Sequence, residues 1–363
     1  DLIKNNFLSK LEKNQIIEIN DAFDQWQVIL NNLEDEKIQE RFLRHYYNAF
    51  KYNPEISIKG IPKATKSNLI NIYEKLIDRN PQIIFEDLIE KSGYYNALID
   101  PENSDNGLKQ NLRDLLNING APSYQLLLYL FSKKIDNIVL NNVVEFLVKY
   151  FVRRNLTDFP NTRDLDSIFM NLITDLESDG ITLEKIETNL IKPGRYSTFE
   201  TFKQELEKDI YENNVGVTRF ILSKIEETNS KTKEIYTNFW KRDNKGNFIW
   251  TIEHIFPQGK NITKDWTNMI ANGNEKEAKK IQEEIVHTLG NLTLTGYNSK
   301  LSNMSFKDKR DRIDKQGRYV GYKNGLYLNK ILTEKESWNK DLIIGRSNIL
   351  IENALGIFKF KEE

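Results

Sequence analysis

Two segments of this chain hold the residues best suited to chemistry, Thr251-Ile-Glu-His-Ile-Phe-Pro-Gln258 and Leu289-Gly-Asn-Leu-Thr-Leu-Thr-Gly-Tyr-Asn298. A carboxylate lies beside a histidine at the end of an apolar run. Gly-Asn-Leu follows, and then a second Asn opens a Lys-containing segment. Hydrolysis of a phosphodiester needs a water deprotonated near neutral pH, and stabilisation of the charge that builds on phosphorus and on the leaving oxygen. A neutral imidazole such as His254 can take the proton, because its ordinary pKa is close to working pH. One carboxylate and one amide carbonyl, with places left for water, suit a hard cation such as Mg²⁺. The residue types therefore point to metal-assisted phosphodiester hydrolysis.

Glu253 and His254 are neighbours, so on a strand their side chains leave opposite faces. They converge only if the strand ends or bends there. Ile255-Phe-Pro supplies that exit, and Pro257 holds Phe256 to extended conformations. Phe248 to Ile255 is β-branched and aromatic, and Asn291 to Thr295 alternates Leu with Thr, so both read as strands. The turn Asp243-Asn-Lys-Gly-Asn precedes the first. A helical insertion, Glu275 to Ile285, separates the two. Ser305 followed by Asp308 supplies a capping-box-like start for a helix after the second.

Upstream, residues 1 to about 190 read as helices. Apolar residues recur at helical spacing in Ile17 to Leu33, Leu69 to Ile77 and Val139 to Val152. Gly- and Pro-containing breaks separate the helices at Asn53-Pro54, Lys59-Gly-Ile-Pro62, Gly120-Ala-Pro122 and Asp158-Phe-Pro160. The segments starting at Ser123 and Val143 are apolar nearly all round, as buried helices of a bundle are. A boundary is expected near Ile191-Lys-Pro-Gly-Arg-Tyr196, followed by helices at Phe199 to Tyr211 and Val217 to Glu227. The fold class is thus mainly α with a small α+β element. Residues 1–190 form a helical linker or interaction domain, and residues 191–363 carry the chemistry.

Composition narrows the class. The 363 residues can bury a sizeable core, with 39% hydrophobic and 29% charged residues. The longest uninterrupted apolar stretch, Leu126 to Phe131, is too short to span a bilayer, and there is no signal-peptide pattern. No cysteine is present, so disulfides and thiolate zinc sites are excluded and any metal must sit on oxygen or imidazole. This fits a cytoplasmic protein. The net charge of −1 hides an asymmetry. From His287 to Lys330 there are nine Lys and Arg against three Asp, a net of +6, as expected for a polyanion contact.

The pattern resembles nucleases of the ββα-metal (HNH) class, most closely the C-terminal nuclease domain of GmrSD-like type IV restriction proteins. The residues that carry the resemblance are Glu253-His-Ile-Phe-Pro-Gln258, Leu289-Gly-Asn-Leu-Thr-Leu294, Asn298, Ser302-Asn303 and Phe306-Lys-Asp-Lys309. Weaker similarity extends to Tyr150-Phe-Val-Arg-Arg154 and the opening Asp1-Leu-Ile-Lys-Asn5. The resemblance implies His254 as general base, with Glu253 and Asn298 as ligands of Mg²⁺ or another divalent cation such as Mn²⁺. It implies Asn291 as the catalytic-site residue that ties down the histidine loop, and Lys300, Lys309 and Arg310 as nucleic-acid contacts. His287 would orient phosphate or cap a helix.

The partner so implied is DNA, foreign or modified, and the role is anti-phage restriction. No Asp-Gly-Gln-Gln-Arg motif and no phosphate-binding Gly loop occurs here. A nucleotide-handling N-terminal half is therefore expected to be missing from this sequence. A homo-oligomer is compatible with the sequence. The competing reading is a nucleic-acid-binding or protein-interaction scaffold whose nuclease is inactive in isolation. RNA is a weaker candidate substrate, because nothing resembles an RNA-reading module. His45 reads as an ordinary helix residue, Trp266 and Trp338 as core, and Arg153 and Arg154 as ion-pairing or carbonyl-capping residues at a helix end.

Overall fold

The computed structural model describes residues 1–103, 106–230, 237–361 and 363, the side chains at 103, 106, 299 and 300 excepted. The chain is mainly helical, with a two-stranded antiparallel sheet, and divides into two compact units. The first comprises residues 1–151 and 159–196, the second 152–158 and 197–363. Among the described residues no helix is long and apolar enough to cross a membrane.

The first unit contains α1 (Leu2–Lys13), α2 (Ile19–Asn32), α3 (Glu36–Phe50), α4 (Leu69–Arg79), α5 (Pro81–Ile99), α6 (Asn106–Asn117) and α7 (Tyr124–Ser132). It continues through most of α8 (Asn137–Thr157), then α9 (Thr162–Asp179) and α10 (Leu183–Leu190). Helical spacing of Phe7, Trp26 and Phe85 on α1, α2 and α5 brings their rings within 5.7–6.1 Å of one another. The near-continuous apolar run of α7 is buried from Tyr124 to Leu130, as its composition requires. His45 on α3 is buried against the Tyr95 hydroxyl at 3.0 Å. Burial and the nearby Arg44 and Arg41 hold its pKa down at about 3.

The second unit runs α11 (Phe199–Leu206), α12 (Ile210–Asn213), α13 (Val215–Asn229), β1 (Thr251–His254), α14 (Lys264–Ala271), α15 (Glu275–Ile285), β2 (Leu292–Thr295), α16 (Asn298–Leu301), α17 (Phe306–Asp311), α18 (Lys330–Thr333) and α19 (Lys340–Phe358). Side-chain caps start several of these helices. Asn274 accepts from Lys276 and Glu277 N–H to open α15, and Ser305 accepts from Asp308 N–H to open α17. Trp266 and Trp338 lie in the core of this unit with Phe256, Phe306 and Tyr322, as expected. Arg153, at the end of α8, pairs with Glu363 and donates to the Ser197 carbonyl. Arg154 pairs with Asp158.

Two expectations are corrected. The helix expected over Phe199 to Tyr211 breaks after Leu206 and restarts at Ile210, where the Tyr211 N–H donates to the His287 carbonyl. The strand expected from Phe248 shortens to Thr251–His254, because Phe248 pairs back across its own turn with Arg242. All four β2 residues are buried in spite of their Leu/Thr alternation. Thr293 stays inside because its hydroxyl donates to Asn329 Oδ1 at 2.6 Å.

Candidate functional site

In the sheet, Glu253 pairs with Thr293 and His254 with Leu292. The chain then leaves β1 along Ile255-Phe256, and Asn291 fixes that exit. Its Nδ2 donates to the carbonyls of Phe256 and Val286, both at 2.9 Å, and its Oδ1 accepts from Phe256 N–H at 2.8 Å. Asn291 is fully buried, so its amide has no group left for substrate and its part here is to position the loop. Asn291→Ala would leave these backbone groups unpaired, and is expected to cost about 1–3 kcal/mol of stability. Urea denaturation of the variant checks this, and an unchanged midpoint would refute the role.

Gly290 is required by the close approach of α19, since a Cβ there would collide with the Ile343 carbonyl and Ser347. Arg346 on α19 completes the cradle. Buried at 1% exposure, it donates to the carbonyls of Gly290 at 2.6 Å, Leu292 at 2.8 Å and Leu328 at 2.9 Å. Burial lowers its pKa to about 9. Nothing local in the sequence marks Arg346, because the carbonyls of Gly290 and Leu292 lie more than fifty residues upstream and that of Leu328 eighteen.

His254 is buried, and its Nε2 lies 3.1 Å from His287 Nδ1. Tyr211 stacks on His287 with ring centres 5.5 Å apart, and meets His254 edge-on at 4.6 Å. His287 Nε2 in turn lies 3.4 Å from Glu212. The carboxylate favours a proton on His287 Nε2, which leaves His287 Nδ1 to accept from His254 Nε2–H. In that tautomer His254 Nδ1 is an acceptor with no protein partner among the described residues. Burial, with His287 and Lys309 nearby, lowers the His254 pKa to about 3, so the ring is neutral throughout the working range. A base held so low accepts a proton weakly, and a bound phosphodiester anion would raise it. Sequence reasoning missed Tyr211 and Glu212, which reach the histidine only through the short helix α12.

Glu253 does not join His254. It is 3% exposed and accepts from Lys309 Nζ at 2.6 Å. The same ammonium donates to the carbonyls of His254 at 2.9 Å and Ile255 at 3.2 Å. Burial pushes the Glu253 pKa up and that of Lys309 down, while each charge favours the other. Lys309, expected as a phosphate contact, is therefore a fully buried structural cation. Arg310 is corrected in the same way. It is 5% exposed and held by Asp311, Glu336 and the Lys335 carbonyl. The Lys300 side chain lies outside the described residues.

This arrangement does not fit the cation implied by the sequence. The Glu253 oxygen that a metal would need is held by an ammonium inside the core. Asn298 donates its Nδ2 to the Ile252 carbonyl at 2.8 Å, which leaves its amide oxygen for a ligand, so the misfit lies at Glu253. Among the described residues no group of three or more His, Asp and Glu could hold a metal ion. Mg²⁺ keeps several waters, for which a carboxylate this deeply enclosed leaves little room.

Residues 196–353 match the family described as GmrSD restriction endonucleases, C-terminal domain. The resemblance to a GmrSD-like type IV restriction protein holds over this segment. No curated protein matches the chain. The matched GmrSD-type segment contains β1, β2, the histidine pair, Tyr211, the Glu253–Lys309 ion pair and Arg346.

Proposed function

We propose that the GmrSD-type unit is a DNA endonuclease of a restriction system in which His254 is the general base. Water attacks phosphorus, a new P–O bond forms, the bond to the 3′ oxygen breaks, and the proton from water passes to His254 Nδ1. The 3′ oxygen leaves and takes a proton from solvent. The observation that carries this reading is the Glu212–His287–His254 alignment, which orients one buried imidazole and leaves its second nitrogen free to accept. Lys309 holds the Glu253 carboxylate, so the residues that act in this reading are His254, His287 and Glu212.

That same ion pair favours a second reading, a nucleic-acid-binding or protein-interaction scaffold whose nuclease is inactive in isolation. Incubating supercoiled plasmid with this chain in Mg²⁺, in Mn²⁺ and in chelator separates the two. Nicking is the expected result, and a loss of nicking in chelator would show the cation requirement. Intact plasmid under all three conditions, with DNA still bound, would favour the scaffold.

A further inference from the structure

Two loops in the second unit are built to one plan. Around Asp243, its N–H donates to the Asn247 carbonyl at 2.8 Å and its carbonyl accepts from Gly246 N–H at 3.0 Å. Its Oδ1 accepts from the N–H groups of Lys245 and Asn247, both at 2.9 Å. Around Asp314 every bond recurs. Its N–H donates to the Arg318 carbonyl at 2.9 Å, its carbonyl accepts from Gly317 N–H at 3.0 Å, and its Oδ1 accepts from Gln316 and Arg318 N–H. Gly246 and Gly317 sit at φ of 81° and 76°, a region that favours glycine. Each loop closes on an isolated antiparallel bridge, Arg242 to Phe248 and Ile313 to Tyr319.

The two hairpins also share chemistry. Residues 241–248 carry Lys241, Arg242 and Lys245 against Asp243, and residues 312–319 carry Arg312, Lys315 and Arg318 against Asp314. Asp243 turns its carboxylate onto backbone amides, and Asp314 holds both backbone amides and the Arg318 guanidinium at 2.7 Å, while Arg242 donates to the Gly246 carbonyl, so Lys245 and Lys315 are the cations left at the tips. Each ends in an aromatic ring bearing a cation: Arg242 and Arg219 over Phe248 at 3.8 and 3.9 Å, and Lys323 over Tyr319 at 5.7 Å. Lys245 and Lys315 are exposed, and neither makes an ion pair among the described residues.

Both hairpins are rooted beside β1. The first runs directly into Thr251, and its Ile249 carbonyl would lie 3.9 Å from a Cβ at Gly296, just beyond β2. The second closes back onto α17, where the Tyr322 N–H donates to the Lys309 carbonyl at 3.1 Å, and Lys309 Nζ reaches the His254 carbonyl at 2.9 Å. Thr251 is three residues from His254, about 10 Å of strand, well within the reach of one bound duplex. A depression next to Glu212 is less suited to phosphate. It is lined by Glu205, Glu207, Asp209, Glu212 and Glu284, with Lys208, paired to Glu205, as its cation.

We infer that the hairpins around Asp243 and Asp314 bind the phosphate backbone of duplex nucleic acid and bring it to His254. This rests on the endonuclease reading and adds the surface by which substrate is held. In place of the buried Lys309 and Arg310, the phosphate contacts are the exposed Lys245 and Lys315.

The test uses the full chain and a random-sequence duplex DNA, with affinity measured at several salt concentrations. Lys245→Gln and Lys315→Gln should each reduce the slope of log affinity against log salt by about 0.9, and together by about 1.8. Unrelated duplex sequences should weaken equally, because phosphate contacts carry no sequence information. Lys276→Gln on α15 is the control and should leave the slope unchanged. An unchanged slope in the double variant would overturn the inference and leave the hairpins as a surface for a protein partner. Equal flattening by Lys276→Gln would also overturn it, by making the effect one of overall charge. If wild type never nicks plasmid while the double variant flattens the slope, the nuclease reading falls and this one stands.

Discussion

His254→Ala is expected to reduce plasmid nicking by about 10²–10⁴-fold, the usual loss when a general base is removed. DNA affinity should stay within a few-fold of wild type, because the imidazole acts on the attacking water and contributes little to holding substrate. The His287 variant makes the test specific. His287→Ala removes the partner at 3.1 Å that fixes the His254 tautomer but leaves His254 itself in place. It should lower the maximal rate less than His254→Ala does, and should change the pH profile of the remaining activity. Glu212 is exposed and 3.4 Å from His287, so Glu212→Gln should have the smallest effect of the three. Wild-type nicking by His254→Ala would end the assignment of the base. A His287→Ala protein as impaired as His254→Ala, with an unshifted pH profile, would show that the pair acts only as packing.

Lys309→Met should destabilise the protein by about 3–5 kcal/mol, since it leaves the Glu253 carboxylate buried without its counter-charge. The ammonium also satisfies two carbonyls at the end of β1, and those would lose their donor. The double variant Glu253→Leu/Lys309→Met removes both charges and should recover much of the loss, because a buried ion pair is often worth little more than well-packed apolar groups. Urea denaturation of wild type, both single variants and the double variant gives the coupling energy directly. A penalty under about 1 kcal/mol for Lys309→Met would mean that water or a cation readily replaces the ammonium. Glu253 would then be available as a ligand after all.

Periodicity alone was enough for the helices of the first unit and for α15. In α15, Asn274 sits directly before a run whose apolar residues Ala278, Ile281 and Ile285 share a face, so cap and stripe are both local signals. The two strands, with His254 near the end of the first, were also visible as short segments of fixed residue types, although Asn291, expected to open the second, lies in the turn before it. The limits of these elements were not. Phe248 has strand propensity, yet it serves a turn, because its cross-chain partner is Arg242 six residues away. The break before Tyr211 depends on the His287 carbonyl, which no local pattern marks.

The charged residues show the division most clearly. From sequence, Lys309, Arg310, Lys315 and Arg318 are four cations in one basic run. In the fold, the first two are buried on carboxylates and carbonyls, and the last two stand on an exposed hairpin. A cation's role is set by whether an acceptor meets it in a low-dielectric interior, and Glu253 reaches Lys309 from a strand fifty-six residues earlier. Residue types and periodicity were enough to mark the groups able to do chemistry and the helical frame that carries them. The partner each group has came from the fold, because the Glu253–Lys309 ion pair and the His254–His287 pair join segments far apart in the chain.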